Sequence, residues 1–110
     1  MRIDTIISDG VAFMTVAGEI DLAVAYELRA MGEMALSPFV GTLRIGLAGV
    51  TFLDSTAISA LVAIRNKADE THHVVILENP SPRVRRILKL TGLDETFTIE
   101  PAGDATRLIS

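Results

Sequence analysis

Two short apolar-rich runs open the chain, Arg2 to Ser8 and Val11 to Val16. Ser8-Asp9-Gly10 stands between them, a turn whose Gly suits a positive φ, so the two runs predict a β-hairpin. Gly18-Glu19-Ile20-Asp21 is expected to break the second strand. Asp21 can then cap a helix, because its carboxylate accepts from the free amides of a first turn. From Leu22 to Leu36 the pattern changes period. Val24, Leu28, Met31 and Ala35 recur at i, i+4, i+7 and i+11 and predict one buried helical stripe. Ser37-Pro38-Phe39 ends it, since Pro38 disfavours a helical backbone at Ser37.

Leu43 to Leu47 is a nearly unbroken apolar run, a pattern suited to a strand covered on both faces. A second helix is expected to start near Asp54, with Ala57, Leu61, Ile64 and Ala68 as its stripe. Val74 to Leu77 reads as the next strand. In Asn79-Pro80-Ser81-Pro82, Ser81 is a suitable N-cap and Pro82 a suitable first helical residue. Val84, Ile87, Leu88 and Thr91 form the inner face of that third helix. Gly92 supplies a left-handed residue beyond its end, followed by apolar Leu93. Thr96 to Ile99 reads as a last short strand and Asp104 to Ile109 as a closing helical turn. The order β-β-α-β-α-β-α-β predicts one α/β domain over residues 1–110, with a mostly parallel sheet and an antiparallel hairpin at one edge.

Composition adds constraints. The chain has 110 residues, 49% hydrophobic and 22% charged, with no Trp. That supports a single, mainly aliphatic core. The net charge of −4 argues against a nucleic-acid partner, which would need a cationic face. The local basic cluster, Arg83, Arg85, Arg86 and Lys89, reads as a solvated helix face. There is no Cys, which excludes disulfides and thiolate metal sites and fits a reducing compartment. The start, MRIDTIISDG, lacks the charge and apolar-core pattern of a signal peptide. Ile45 to Ile64 has the length of a bilayer span, but Asp54 lies at its centre, where a charge costs ~2.5–3.5 kcal/mol on insertion scales. A buried strand leading into a helix is the better reading, and no membrane insertion is expected.

The chemistry narrows to one place. Gly46-Leu47-Ala48-Gly49 has neither the spacing nor the Lys of a phosphate loop. His72 and His73 are expected to start a strand, pointing to opposite faces and unable to share a metal. Leu53 and Ala57 stand where a hydrolase elbow needs glycines around Ser55. What remains is Asp54-Ser55-Thr56, three polar residues between apolar runs. Asp54 is a good N-cap, and Ser and Thr suit a first helical turn, so these residues can simply start a helix. Ser55, Ile58, Ser59 and Val62 also form an i, i+3, i+4, i+7 face distinct from the core stripe. That face is a candidate contact patch beside a hydroxyl. The helix start supplies free amides and a positive dipole end that tolerate an added phosphate at Ser55.

The stretch VTFLDSTAISALVAIRNKA resembles the signature of STAS domains, and among them the bacterial anti-sigma factor antagonists. In that family an apolar strand leads into Asp-Ser-Ser/Thr-Gly, and the Ser after the Asp is phosphorylated. The position matches Ser55, between Asp54 and Thr56. GEID resembles the family's Gly-Glu-Leu-Asp, which brings in Glu19 and Asp21, and NPSPRVRRILKLTGLDETFTI resembles its third helix and last strand. The resemblance implies a STAS-like α/β fold with a mixed sheet of four to five strands and three to four helices. It also implies a non-enzymatic, cytoplasmic switch with no cofactor of its own. The unphosphorylated form binds an anti-sigma factor, which releases its sigma factor. That anti-sigma factor is a Ser/Thr kinase and uses its own ATP to phosphorylate Ser55 and eject the antagonist; a serine phosphatase resets the cycle. The partner-binding residues would be Asp21, Asp54, Ser55, Thr56, Ile58, Ser59 and Val62. A non-phosphorylated STAS scaffold or transporter-associated binding module is the alternative. Ala57 departs from the family's Gly. Its methyl firms the helix start by ~1 kcal/mol and adds bulk at a turn over which a partner would close.

Overall fold

A computed structural model describes residues 2–100. The strands are β1 (Arg2–Ser8), β2 (Val11–Ile20), β3 (Thr42–Leu53), β4 (Val74–Glu78) and β5 (Thr98–Glu100). The helices are α1 (Leu22–Ala35), α2 (Ser55–Glu70), α3 (Pro82–Leu90) and the short α4 (Leu93–Thr96). The strands lie side by side in sequence order in one sheet, β1 antiparallel to β2 and the others parallel. The mixed sheet with an edge hairpin is therefore as expected. The expected closing turn at Asp104 to Ile109 lies outside the described residues.

The hairpin turn is Asp9-Gly10, with φ of 51° and 77°. Positive φ at both residues matches the right-handed twist of the flanking strands. Gly18-Glu19-Ile20 does not break β2, contrary to expectation. The strand runs on to Ile20 because its parallel partner β3 also runs on, past Leu47 to Leu53. Two register shifts, between Thr15 and Ala17 and between Gly18 and Glu19, absorb the mismatch as bulges. Gly18, with φ of 97°, supplies the conformation one of these needs. Gly49 lets the strands close up, since a Cβ there would lie 2.9 Å from the Ala17 Cβ. Pairing between strands thus overrides the local turn signal.

Residues alternate in and out along the central strands. Ala12, Met14 and Val16 on β2 and Leu43, Ile45 and Leu47 on β3 are fully buried, while Arg44 and Gly46 between them are only half-buried. The second face of β3 is therefore less covered than its apolar run suggests. Arg44 reaches Glu78 at 3.1 Å and Glu100 at 2.7 Å there, tying β3 to β4 and β5. The helical stripes pack as their spacing predicts. Val24, Leu28 and Ala35 of α1 are buried with Met31 half-buried, and all four stripe residues of α2 are buried. Gly32 lets α2 approach α1, because a Cβ there would overlap the Ile64 side chain.

α3 starts as expected, with the Ser81 hydroxyl accepting from the Val84 amide at 3.2 Å. Its inner face is narrower: Val84 and Leu88 are buried, Ile87 is half-buried and Thr91 is exposed. Gly92 takes φ of 78° and starts α4, an element the sequence pattern did not indicate. Thr96 and Phe97 consequently precede the last strand. His72 and His73 also lie before their strand. His72 adopts a positive φ of 59°, and His73 bridges the Thr71 hydroxyl and the Ser37 carbonyl oxygen.

Candidate partner-binding and phosphorylation site

The register of the two central strands builds the site. Ile20 of β2 is paired with Leu53 of β3, and each is followed at once by an aspartate that caps a helix. Asp21 and Asp54 therefore leave the sheet side by side, since neighbouring strands lie ~4.8 Å apart. Both take the same extended conformation, φ −93° and ψ −172° for Asp21 and φ −97° and ψ −175° for Asp54. Asp21 Oδ1 accepts from the Val24 amide at 3.1 Å, and Asp54 Oδ1 accepts from the Ala57 amide at 2.9 Å. Each carboxylate takes up one amide that its helix leaves unpaired.

Asp54 Oδ1 also accepts from the Thr56 hydroxyl. That bond, followed by the one from the Ala57 amide, holds the Asp54 carboxyl below the usual carboxylate range. The two neighbouring hydroxyls are thereby separated. Thr56 is half-buried and committed to Asp54. Ser55 is exposed, and its hydroxyl has no side-chain hydrogen bond among the described residues. As first residue of α2 it presents a free hydroxyl at the rim shared with Asp21.

The remaining candidates divide. Ser59 is exposed on the same side of α2. Ile58 and Val62 are half-buried and pack against the core cluster, so part of their apolar surface is used internally. Ala57 is fully buried, so its methyl lies in the core and not over the site. His72 and His73 precede β4, at the sheet end opposite the start of α2. Neither histidine can serve Ser55 as a general base.

The structure adds residues that the sequence pattern did not single out. A groove of about 250 Å³ between α1 and α2 is lined by Leu22, Ala25, Tyr26 and Arg29 on one side and Ser55, Thr56, Ser59 and Ala60 on the other. Leu22 and Tyr26 are 57% and 70% exposed, large for apolar and aromatic side chains that cap no core. A signal existed for them: Leu22, Tyr26 and Arg29 sit at i, i+4 and i+7, off the core stripe of α1. A second hollow at the same end of the sheet is lined by Glu19, Thr51, Phe52 and Arg83. There the Arg83 guanidinium stands 5.4 Å from the centre of the Phe52 ring. No helix among the described residues is long and apolar enough to cross a membrane, and Ile45 to Ile64 is a strand leading into a helix.

Several known proteins are similar to this chain in sequence or in fold. The anti-sigma-F factor antagonist RsfB of Mycobacterium tuberculosis is 35% identical over 92 residues, covering 83% of this chain and 74% of RsfB. The crystal structure of an anti-sigma factor antagonist from Mycobacterium paratuberculosis is 32% identical, with a TM-score of 0.78 over 98% of this chain and 92% of that one. A sulfate transporter family protein from Wolinella succinogenes shares the fold, with a TM-score of 0.79 over 90% of this chain and 83% of that one, at 18% identity. The family model for the STAS domain matches residues 2–105, the whole sheet-and-helix unit described above with both capping aspartates, and on that match the chain belongs to the STAS domain family.

Proposed function

We propose that this chain is an anti-sigma factor antagonist of the bacterial cytoplasm, switched by phosphorylation of Ser55. In its unphosphorylated form it binds an anti-sigma factor and so frees a sigma factor. The anti-sigma factor is also a Ser/Thr kinase, and it transfers the γ-phosphoryl group of its own ATP to Ser55 Oγ. ADP departs and the hydroxyl proton passes to a base of the kinase. A serine phosphatase restores the hydroxyl. The observation that carries this reading is the unpartnered, exposed Ser55 hydroxyl, set between two capped helix starts while neighbouring Thr56 is tied to Asp54. RsfB and the Mycobacterium paratuberculosis protein, at 35% and 32% identity, bear antagonist names, whereas the transporter likeness at 18% identity speaks for fold alone.

The partner surface combines Asp21, Asp54, Ser55, Thr56 and Ser59 with the outer parts of Ile58 and Val62. Leu22 and Tyr26 extend it as exposed apolar anchors. Glu19, Asp21 and Asp54 make the rim acidic, which suits a basic partner. The switch is local. A phosphoserine carries about −1.5 to −2 charge at pH 7. The free amides of α2 tolerate it, while Asp54 and Asp21 oppose it, so the net effect on folding is small. A partner packed around a neutral hydroxyl must instead bury a hydrated dianion, at a cost of several kcal/mol. At ~1.4 kcal/mol per tenfold, affinity falls by orders of magnitude.

Incubation with the cognate kinase and ATP, read by intact mass and phosphopeptide mapping, tests the reading. One phosphate on Ser55 is expected. A chain that binds its partner but gains no phosphate would instead be the non-phosphorylated scaffold or transporter-associated module.

A further inference from the structure

The groove beside Ser55 carries a cation that the proposed switch leaves unused. Arg29 lines it from α1, opposite Ser55 and Ser59 of α2. It pairs with Glu33, one turn along the same helix, at 3.6 Å, with the Arg29 side chain 55% exposed. Such an exposed i,i+4 pair contributes little to stability, so Arg29 is easily released. Helical side chains lean toward the N-terminus of their helix, which for Arg29 is the end where α1 and α2 both begin. Tyr26 stands one turn nearer that end and lines the same groove. Asp54 precedes Ser55 and Asp21 caps the neighbouring helix, so a cation close by would offset the repulsion that both carboxylates exert on a phosphate there.

Resting on the reading of Ser55 as the phosphorylated residue, we propose that the α1–α2 groove is a receptor for that phosphate, with the Arg29 guanidinium as its cationic ligand and the Tyr26 phenol and Ser59 hydroxyl as donors. Planar guanidinium and phosphate oxygens suit paired hydrogen bonds. Phosphorylation then does two things at once. It adds charge at the rim, and it draws Arg29 across the groove, filling the hollow into which a partner side chain would insert.

The test places phosphoserine at position 55 during translation, so that no kinase is involved. Phosphorus NMR follows the titration of the phosphate in the otherwise wild-type chain, in R29Q and in R86Q, the last removing a solvated arginine of α3. An arginine held against the phosphate favours its dianion, so the wild-type midpoint is expected at least about 0.5 pH unit below that of R29Q, with R86Q matching wild type. The chain has one Tyr and no Trp, so its intrinsic emission reports Tyr26 alone. That emission is expected to change at the wild-type phosphate midpoint. Equal midpoints in wild type and R29Q, a shift of the same size in R86Q, or Tyr26 emission indifferent to the phosphate would each overturn the receptor. None of these outcomes depends on whether a kinase uses Ser55, which the kinase assay decides separately.

Discussion

Ser55 and Thr56 are adjacent hydroxyls with opposite fates, and one hydrogen bond separates them. Thr56 donates to the Asp54 carboxylate and is half-buried, while Ser55 faces solvent. S55A is therefore expected to abolish phosphorylation and keep the fold, and T56V to remain a phosphate acceptor. Phosphopeptide mapping of both variants after kinase treatment checks this, and phosphate retained on S55A would contradict it. Asp54 makes a pH prediction. Its carboxyl is held below its ordinary value of 3.8, chiefly by the Thr56 hydroxyl and then by the Ala57 amide. A depressed native value means the ionised cap stabilises the fold above the ordinary value, and that contribution is lost as pH falls through the native one. Wild type is thus expected to melt above D54N at neutral pH, the gap closing in acid. Thermal melts of the two proteins across that range measure it, and a gap independent of pH would contradict the charged cap. The cap and the hydroxyl pair were legible in the sequence, because an Asp before a helical stripe has few other uses. Which hydroxyl stays free was not, since it depends on how the Asp54 carboxylate turns.

At the scale of elements, α1 and α2 hold the groove through a close approach at Gly32. Ile64 is fully buried against it, so a methyl there has little room. Ala raises helix propensity by ~1 kcal/mol, but overpacking costs ~1–3 kcal/mol. G32A is expected to be net destabilised, and I64V, which shortens the offending side chain, to recover part of the loss in the double variant. Denaturant unfolding of the four proteins in this cycle reads the coupling, and additive effects would mean the helices are not in contact there. Tyr26 is the element's outward counterpart. With 70% of its surface exposed, Y26A is expected to leave the melting point nearly unchanged while weakening the partner by tenfold or more, ~1.4 kcal/mol. Calorimetric titration against the anti-sigma factor checks it, and an unchanged affinity would remove Tyr26 from the surface. The helices were readable from their 3.6-residue stripes and their caps. The lengths of β2 and β3 were not, because Gly18 and Gly49 look like breakers in sequence and act as a bulge and a close strand contact in the sheet. α4 was missed for a related reason: four residues are too few to show a period.

For the whole molecule, the arrangement places everything that a partner would read at one end of the sheet. Parallel β2 and β3 deliver Asp21 and Asp54 there through the Ile20–Leu53 pair, and the hollow of Glu19, Thr51, Phe52 and Arg83 adjoins it. The opposite end carries the histidines. The sequence pattern implied this polarity, since both aspartates follow strands and precede helices, but the depth and lining of the α1–α2 groove depend on packing that no local pattern records. The core beneath is continuous from β2 through α3, so a charge added at the rim has no hinge or domain boundary to act upon. A rigid scaffold with a chemical label at its edge is the physical content of the proposed switch. The most direct measurement is a titration of the anti-sigma factor kinase with unphosphorylated chain and with chain carrying phosphoserine at position 55, alongside the backbone NMR spectrum and melting point of each form. The account predicts nearly superimposable spectra away from the starts of α1 and α2, nearly equal melting points, and an affinity lower by at least about a hundredfold, ~2.7 kcal/mol, for the phosphorylated form. Equal affinities for the two forms, or spectral changes spread through the sheet, would contradict it.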